Sequence, residues 1–151
     1  RDLVRSRGLG DVYKRQGADN EIWSYGEENY QIMKKFIEIR EMMRDYTRSL
    51  MEETHKTGAP VMRTMFYEFP EDLNTWELDT QYMYGPDILA APIVEPHAFK
   101  RKVYLPEGST WTNAQTGEIL NGGQWTEAEA PIDSMPVFLR DGRQEYLIHT
   151  I

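Results

Sequence analysis

The sequence predicts a two-part fold, an α/β part followed by an all-β part, and three observations carry that prediction. Apolar residues recur at helical spacing from Ile32 to Leu50. That period vanishes after Gly85. From there, short β-prone runs alternate with turn residues, which is the pattern of an antiparallel sandwich or barrel. The junction is expected near Tyr84–Asp87, so that 17–84 forms the first part and 85–151 the second.

Bulk properties bound the function before any motif is read. The chain has 151 residues, enough for one ordinary domain with a sizeable core. A net charge of −8 argues against a nucleic-acid or anionic-membrane surface, since both require clustered Lys and Arg. The absence of Cys excludes a disulfide framework, a thiolate metal site and a Cys nucleophile. That absence suits the cytoplasm but leaves the compartment open. The longest apolar run covers about seven residues around Ile88–Val94, against roughly 20 for a bilayer-spanning helix.

Residues Arg1–Gln16 differ in character from the rest of the chain. They carry five of the 17 basic residues and two of the 25 acids, and they show no sustained apolar pattern. A basic binding arm is one reading. The preferred one is a non-native segment, because the string resembles the translated adapter found at the ends of proteins inferred from metagenomic reads. On that reading the natural frame continues upstream of Gly17, and the chain is a fragment.

From Gly17 a polar loop, anchored by Trp23 and Tyr25, runs to Gly26. One long helix is then expected from Glu27 or Glu28 to Gly58. Ile32, Phe36, Ile39, Met43, Tyr46 and Leu50 fall on one stripe of it, and Met33, Ile37, Met42 and Met51 widen the apolar face. The spacing favours core packing over an adaptable Met-lined groove. Glu27 and Glu28 suit the positive end of the helix dipole, and His55 and Lys56 the negative end. His55 is therefore read as structural and not as a base or ligand. Gly58 is the expected stop, reinforced by Pro60.

Val61–Tyr67 reads as a buried parallel strand entered from the helix through a tight turn. The turn after it carries three carboxylates, Glu68, Glu71 and Asp72, which invites a general acid–base reading. Against it, Pro70 and Asp72 are turn formers, and Asn74 would cap a short helix through Trp76 and Leu78. The structural reading is preferred for Glu71 and Asp72. Glu68 is evenly balanced, because it would stand where a barrel strand meets its catalytic face.

The expected strands beyond Gly85 are Ile88–Val94, Lys102–Leu105, Ser109–Asn113, Glu118–Leu120, Gln124–Glu127, Pro136–Arg140 and a last one over Glu145–His149. Asn121-Gly122 is the strongest hairpin cue, and Pro92 suggests an edge or a bulge. Trp111 and Trp125 could be sugar-stacking platforms, but half-buried core is the preferred reading for strand tryptophans. His97 and His149 stand alone, so no metal site is expected. The chain stops at Ile151 without the further strands of a closed sandwich, which again suggests truncation.

From Glu21 to Gly142 the sequence resembles glycoside hydrolase family 31, the α-glucosidase and α-xylosidase family. Glu21-Ile22-Trp23 and Tyr25-Gly26-Glu27 resemble the loop after its seventh barrel strand. Gly58-Ala59-Pro60-Val61-Met62-Arg63 and Phe69-Pro70-Glu71-Asp72 resemble its eighth strand and the turn beyond. Gln81-Tyr82-Met83-Tyr84-Gly85-Pro86-Asp87-Ile88-Leu89-Ala90-Ala91-Pro92 is similar to the lead into the family's C-terminal β-domain. Val103-Tyr104-Leu105-Pro106, Trp111, Gly117-Glu118, Gly122-Gly123 and Pro136-Val137-Phe138-Leu139-Arg140-Asp141-Gly142 continue that domain in order.

The resemblance implies the last helix and strand of a (β/α)₈ TIM barrel, followed by part of an antiparallel β-sandwich. It also implies a retaining glycosidase that works on an oligosaccharide without a cofactor, using two Asp carboxylates. The family's nucleophile motif, Trp-x-Asp-Met-Asn-Glu, does not occur in the chain, nor does its substrate-binding Arg-Asn-His. No catalytic, cofactor-binding or metal-binding residue is therefore assigned, and the chain alone is expected to be inactive. Glu68, Glu71 and Asp72 match family positions outside the catalytic pair. The rival expectation is a non-catalytic carbohydrate-binding or structural β-sandwich module that uses Trp111 and Trp125.

Overall fold

The structure, a computed structural model, describes residues 21–151, so Arg1–Gln16 lies outside the described residues. Two compact units divide between Glu38 and Ile39. In the described part of the first, Ile22–Tyr25 forms a 3-10 turn that Gly26 ends at φ 86°, and helix α1 (Glu27–Met42) begins at once. Trp23 and Tyr25 are exposed. The Ser24 hydroxyl donates to the Glu21 carbonyl and the Asn29 amide to the Tyr25 carbonyl.

The single long helix expected from the periodicity is two helices, α1 and α2 (Arg44–Thr57). Met43 separates them with ψ at 2°. The Met43 N–H still reaches the Ile39 carbonyl at 3.0 Å, and the Thr47 N–H the Met43 carbonyl at 2.9 Å. The break is therefore one residue's change of ψ with no lost turn. The stripe itself holds, with Ile39 and Leu50 buried and the other four members half-buried. Ile37, Met42 and Met51, expected to widen the buried face, are exposed. Gly58 ends α2 in the left-handed region at φ 79°, its N–H donating to the Thr54 carbonyl.

Val61–Tyr67 is not one buried parallel strand. It divides into β1 (Met62–Arg63), paired antiparallel, and a helical turn, α3 (Met65–Glu68). The Phe69 N–H closes that turn on the Met65 carbonyl at 2.9 Å. Four-residue spacing thereby sends Met65 and Phe69 into the core and leaves Phe66 and Tyr67 outside. Downstream, a 3-10 turn covers only Leu73–Thr75, and its cap is Asp72, which accepts from the Asn74 N–H; Asn74 is not the cap.

The remaining strands are β2 (Tyr82–Tyr84), β3 (Ile88–Ala90), β4 (Lys100–Leu105), β5 (Thr110–Asn113), β6 (Ile119–Asn121), β7 (Gln124–Glu129) and β8 (Val137–Arg140). Among the described residues they form a six-stranded sheet, ordered β1-β2-β3-β8-β5-β6, and a separate β4–β7 pair. Every pairing is antiparallel. The six-stranded sheet takes strands from both sides of Gly85. Met83, Leu89, Trp111 and Phe138 of this sheet share one core with Val103, Leu105 and Ala128 of the pair, and with Met65 and Phe69.

Three finer expectations are corrected. Asn121-Gly122 does not make a β6–β7 hairpin, because β6 pairs with β5 and β7 with β4. The segment carries the chain from one sheet to the other, and only Gly123 has positive φ, at 78°. Glu145–Leu147 is a 3-10 turn and not a strand, with Gln144 left-handed at φ 57° before it and Leu147 buried. β3 ends at Ala90, so Pro92 lies just past the strand and interrupts no ladder.

Candidate functional site

The acidic turn folds into a shallow cleft of about 330 Å³ lined by Glu68, Phe69, Pro70, Glu71, Asp72, Glu107 and Gly108. Its three carboxylates have different surroundings. Glu68 is largely buried between two guanidinium groups, with Oε2 2.9 Å from Arg63 Nη1 and Oε1 3.2 Å from Arg140 Nη1. Arg63, only 6% exposed, also donates to the Pro60 carbonyl and to Glu53 Oε2. Burial alone would lower the Arg63 pKa, but the two glutamates outweigh it and hold the guanidinium charged. Arg140 lies over the Phe69 ring at 4.7 Å. With both its oxygens on guanidinium groups, Glu68 is a structural bridge across the sheet.

Asp72 closes a second network. Its Oδ2 accepts from the Tyr104 hydroxyl at 2.9 Å and the Glu107 N–H at 3.1 Å, while Oδ1 accepts from the Asn74 backbone N–H at 3.1 Å. Burial would raise its pKa, but the donated hydrogen bonds win and hold it below the usual carboxylate value. The Tyr104 phenol is pushed up to about 12, first by burial and then by its bond to Asp72. Gln81 fixes the same strand by donating to the Tyr104 carbonyl at 2.8 Å and accepting its N–H at 3.0 Å. Glu71 is exposed.

This network predicts a pH signature. A folded pKa depressed for Asp72 means its stabilisation is present above the unfolded value of about 3.9. It is then lost as pH falls through the folded value. A raised Tyr104 pKa means stabilisation present below about 10 and lost as pH rises towards 12. Asp72→Asn is expected to cost about 2 kcal/mol at neutral pH and to flatten the acid limb. Urea midpoints of both proteins from about pH 5 down to about pH 2 measure it, and parallel acid limbs would contradict it.

The other candidates separate cleanly. Trp111 is fully buried, its indole N–H on the Pro106 carbonyl at 3.0 Å, so it is core. Trp125 is 55% exposed and leans on the Tyr104 ring, with centroids 5.3 Å apart. His55 lies in the last turn of α2. His97 and His149 are left-handed residues of turns, and His149 Nδ1 is 2.9 Å from the Gln115 carbonyl. Among the described residues no group of three or more His, Cys, Asp or Glu could hold a metal ion. No described helix is long and apolar enough to cross a membrane. The sequence reading missed the roles of Arg63, Arg140, Gln81 and Tyr104. Arg63 was the findable one, as a charge inside an apolar run.

Fold and site together define an antiparallel β-domain whose acidic turn is tied down by buried ionic and hydrogen-bonded partners. The family model for the glycosyl hydrolase family 31 C-terminal domain matches residues 58–143, and the chain belongs to that family. It is 48% identical to a family 31 α-xylosidase from a soil metagenome, solved with xylose. The TM-score is 0.83, over 87% of this chain and 20% of that one. A dextranase of the family from Flavobacterium johnsoniae, solved with isomaltotriose, is 36% identical with a TM-score of 0.79, over 83% of this chain and 16% of its own. Alpha-glucosidase 2 of Bacillus thermoamyloliquefaciens is 39% identical over 122 residues, which is 81% of this chain and 15% of that protein. The alpha-xylosidase of Saccharolobus solfataricus is 34% identical over 81% of this chain and 17% of its own length. The chain thus spans less than a quarter of each of these relatives.

Proposed function

We propose that the chain is the C-terminal piece of a retaining α-glycosidase that removes terminal α-glucosyl or α-xylosyl residues from oligosaccharides. The observation that carries this reading is the 48% identity, at a TM-score of 0.83, to an α-xylosidase over 87% of the chain. On this reading residues 17–84 are the end of the catalytic (β/α)₈ barrel and 85–151 part of the β-sandwich beyond it. The six-stranded sheet then bridges the two through the β2–β3 pairing.

In such an enzyme one carboxylate attacks the anomeric carbon and forms a glycosyl-enzyme. A second carboxylate protonates the leaving oxygen and then activates water, so the anomeric configuration is retained. The bonding of Glu68 to two arginines and of Asp72 to Tyr104 supports leaving both roles to residues outside this chain. The role proposed for the chain is support. Its ionic bridge and Asp72 network hold the acidic turn that follows α3.

The test is hydrolysis of p-nitrophenyl α-D-xylopyranoside and α-D-glucopyranoside. The product of the uninterrupted gene is expected to cleave at least one of them with retention, read by proton NMR of the first-formed sugar. The 151-residue chain is expected to cleave neither. Turnover by the purified chain would overturn the assignment of the catalytic pair. No turnover of any α-glycoside by the longer product would overturn the enzyme reading.

A further inference from the structure

Trp125, singled out in the sequence, is absorbed by neither the buried core nor the bonding of the acidic turn. It lies on β7, opposite Tyr104 of β4. Strand alternation puts Trp125, Glu127 and Glu129 on one face, with Tyr104, Lys102 and Lys100 across from them. The Tyr104 ring is itself pinned by its hydroxyl to Asp72 and by the Asn74 amide at 3.0 Å. Trp125 is therefore held against a fixed support, with more than half its surface open. Around it is a cleft of about 530 Å³ lined by Lys102, Trp125, Thr126 and Glu127. Lys100 ion-pairs with Glu129 at 2.7 Å and with Glu127 at 3.5 Å, while Lys102 has no ion-pair partner among the described residues.

We propose that this face of the β4–β7 pair is a sugar-binding site, with one pyranose ring stacked on the Trp125 indole and its hydroxyls held by Lys102 and Glu127. The chemistry of the face fits a pyranose better than a purely apolar occupant. An apolar segment would bury the Lys102 ammonium and the Glu127 carboxylate at a desolvation cost. A sugar offers its C–H face to the ring and its hydroxyls to both charged groups. The volume lies within the range of small-ligand sites. The choice of an α-linked glucosyl or xylosyl oligosaccharide rests on the reading of the chain as an α-glycosidase piece. The stacking geometry does not.

The experiment titrates the chain with isomaltotriose, maltotriose and xylose, following indole N–H signals by NMR. Saturable shifts of the Trp125 signal are expected for at least one of them, with a dissociation constant on the order of 1 mM. Trp125→Ala should weaken binding by about tenfold or more, and Trp125→Tyr should restore most of it. Lys102→Ala should weaken it by about threefold. Trp76→Ala, an exposed tryptophan outside this face, should leave it unchanged. No saturable shift up to about 50 mM would overturn the proposal, and so would undiminished binding by Trp125→Ala. Sugar binding without glycosidase activity in the longer product would sink the enzyme reading and leave this site standing; activity without sugar shifts would do the reverse.

Discussion

Glu68→Gln is expected to destabilise the chain by about 3 kcal/mol. The substitution keeps the shape of the side chain, removes its charge and turns one of its two acceptor oxygens into a donor that faces a guanidinium. It leaves Arg63, almost fully buried, with the half-exposed Glu53 as its remaining anionic partner. It also strips Arg140 of the carboxylate 3.2 Å away. Breaking a buried pair from one side costs more than the pair itself contributes, because the orphaned charge stays desolvated. Urea unfolding, followed through the buried Trp111, measures the effect. Glu71→Gln, in the same turn but exposed, is the control and should lie within about 0.5 kcal/mol of the parent. A loss below about 1 kcal/mol for Glu68→Gln would mean that solvent already screens the bridge.

Gly122→Ala is expected to cost about 3 kcal/mol, at the upper end for an overpacked site. A Cβ there would lie 2.8 Å from the Ser109 carbonyl oxygen, 2.9 Å from the Pro106 carbonyl carbon and closer still to the Pro106 oxygen. These backbone atoms cannot swing aside. The Pro106 carbonyl accepts the Trp111 indole N–H, and the Ser109 carbonyl accepts the Gly122 N–H at 2.9 Å. Moving either would disturb the buried tryptophan or the crossing from β6 to β7. Gly123→Ala makes the instructive comparison. Its penalty comes from positive φ and from the flexible Glu107 side chain, which can move, so about 1–2 kcal/mol is expected. If Gly122→Ala proved no worse than Gly123→Ala in the same urea series, the close approach would not limit stability.

The fate of the acidic turn shows how far the sequence could be read. Its carboxylates were visible as a cluster, and the structural preference for Asp72 agrees with the bonds it accepts. The partners were not visible. Glu68 and Arg140 are 72 residues apart, and no local pattern announces that a helical turn and β8 will meet. The two tryptophans make the same point from the other side. Trp111 and Trp125 both lie in β-prone runs, yet one is fully buried and the other more than half open. Alternation assigns a face to each residue, but it does not say which face another sheet covers.

The sequence by itself determined what depends on neighbours in the chain. The apolar stripe from Ile32 to Leu50, the Gly58 stop and the position of nearly every strand beyond Gly85 come from side-chain period and from dihedral preferences of single residues. The ordered family motifs gave membership for the same reason, being strings of adjacent residues. Only the tertiary structure decided which strands pair. It set β6 beside β5 and β7 beside β4 despite the Asn121-Gly122 signal, and it turned Met65–Glu68 into a helical turn. Those outcomes depend on burying Met65, Phe69 and Trp111 together in one core. That burial free energy belongs to contacts between distant segments, and it outweighs the fraction of a kcal/mol by which a local turn preference favours one pairing over another.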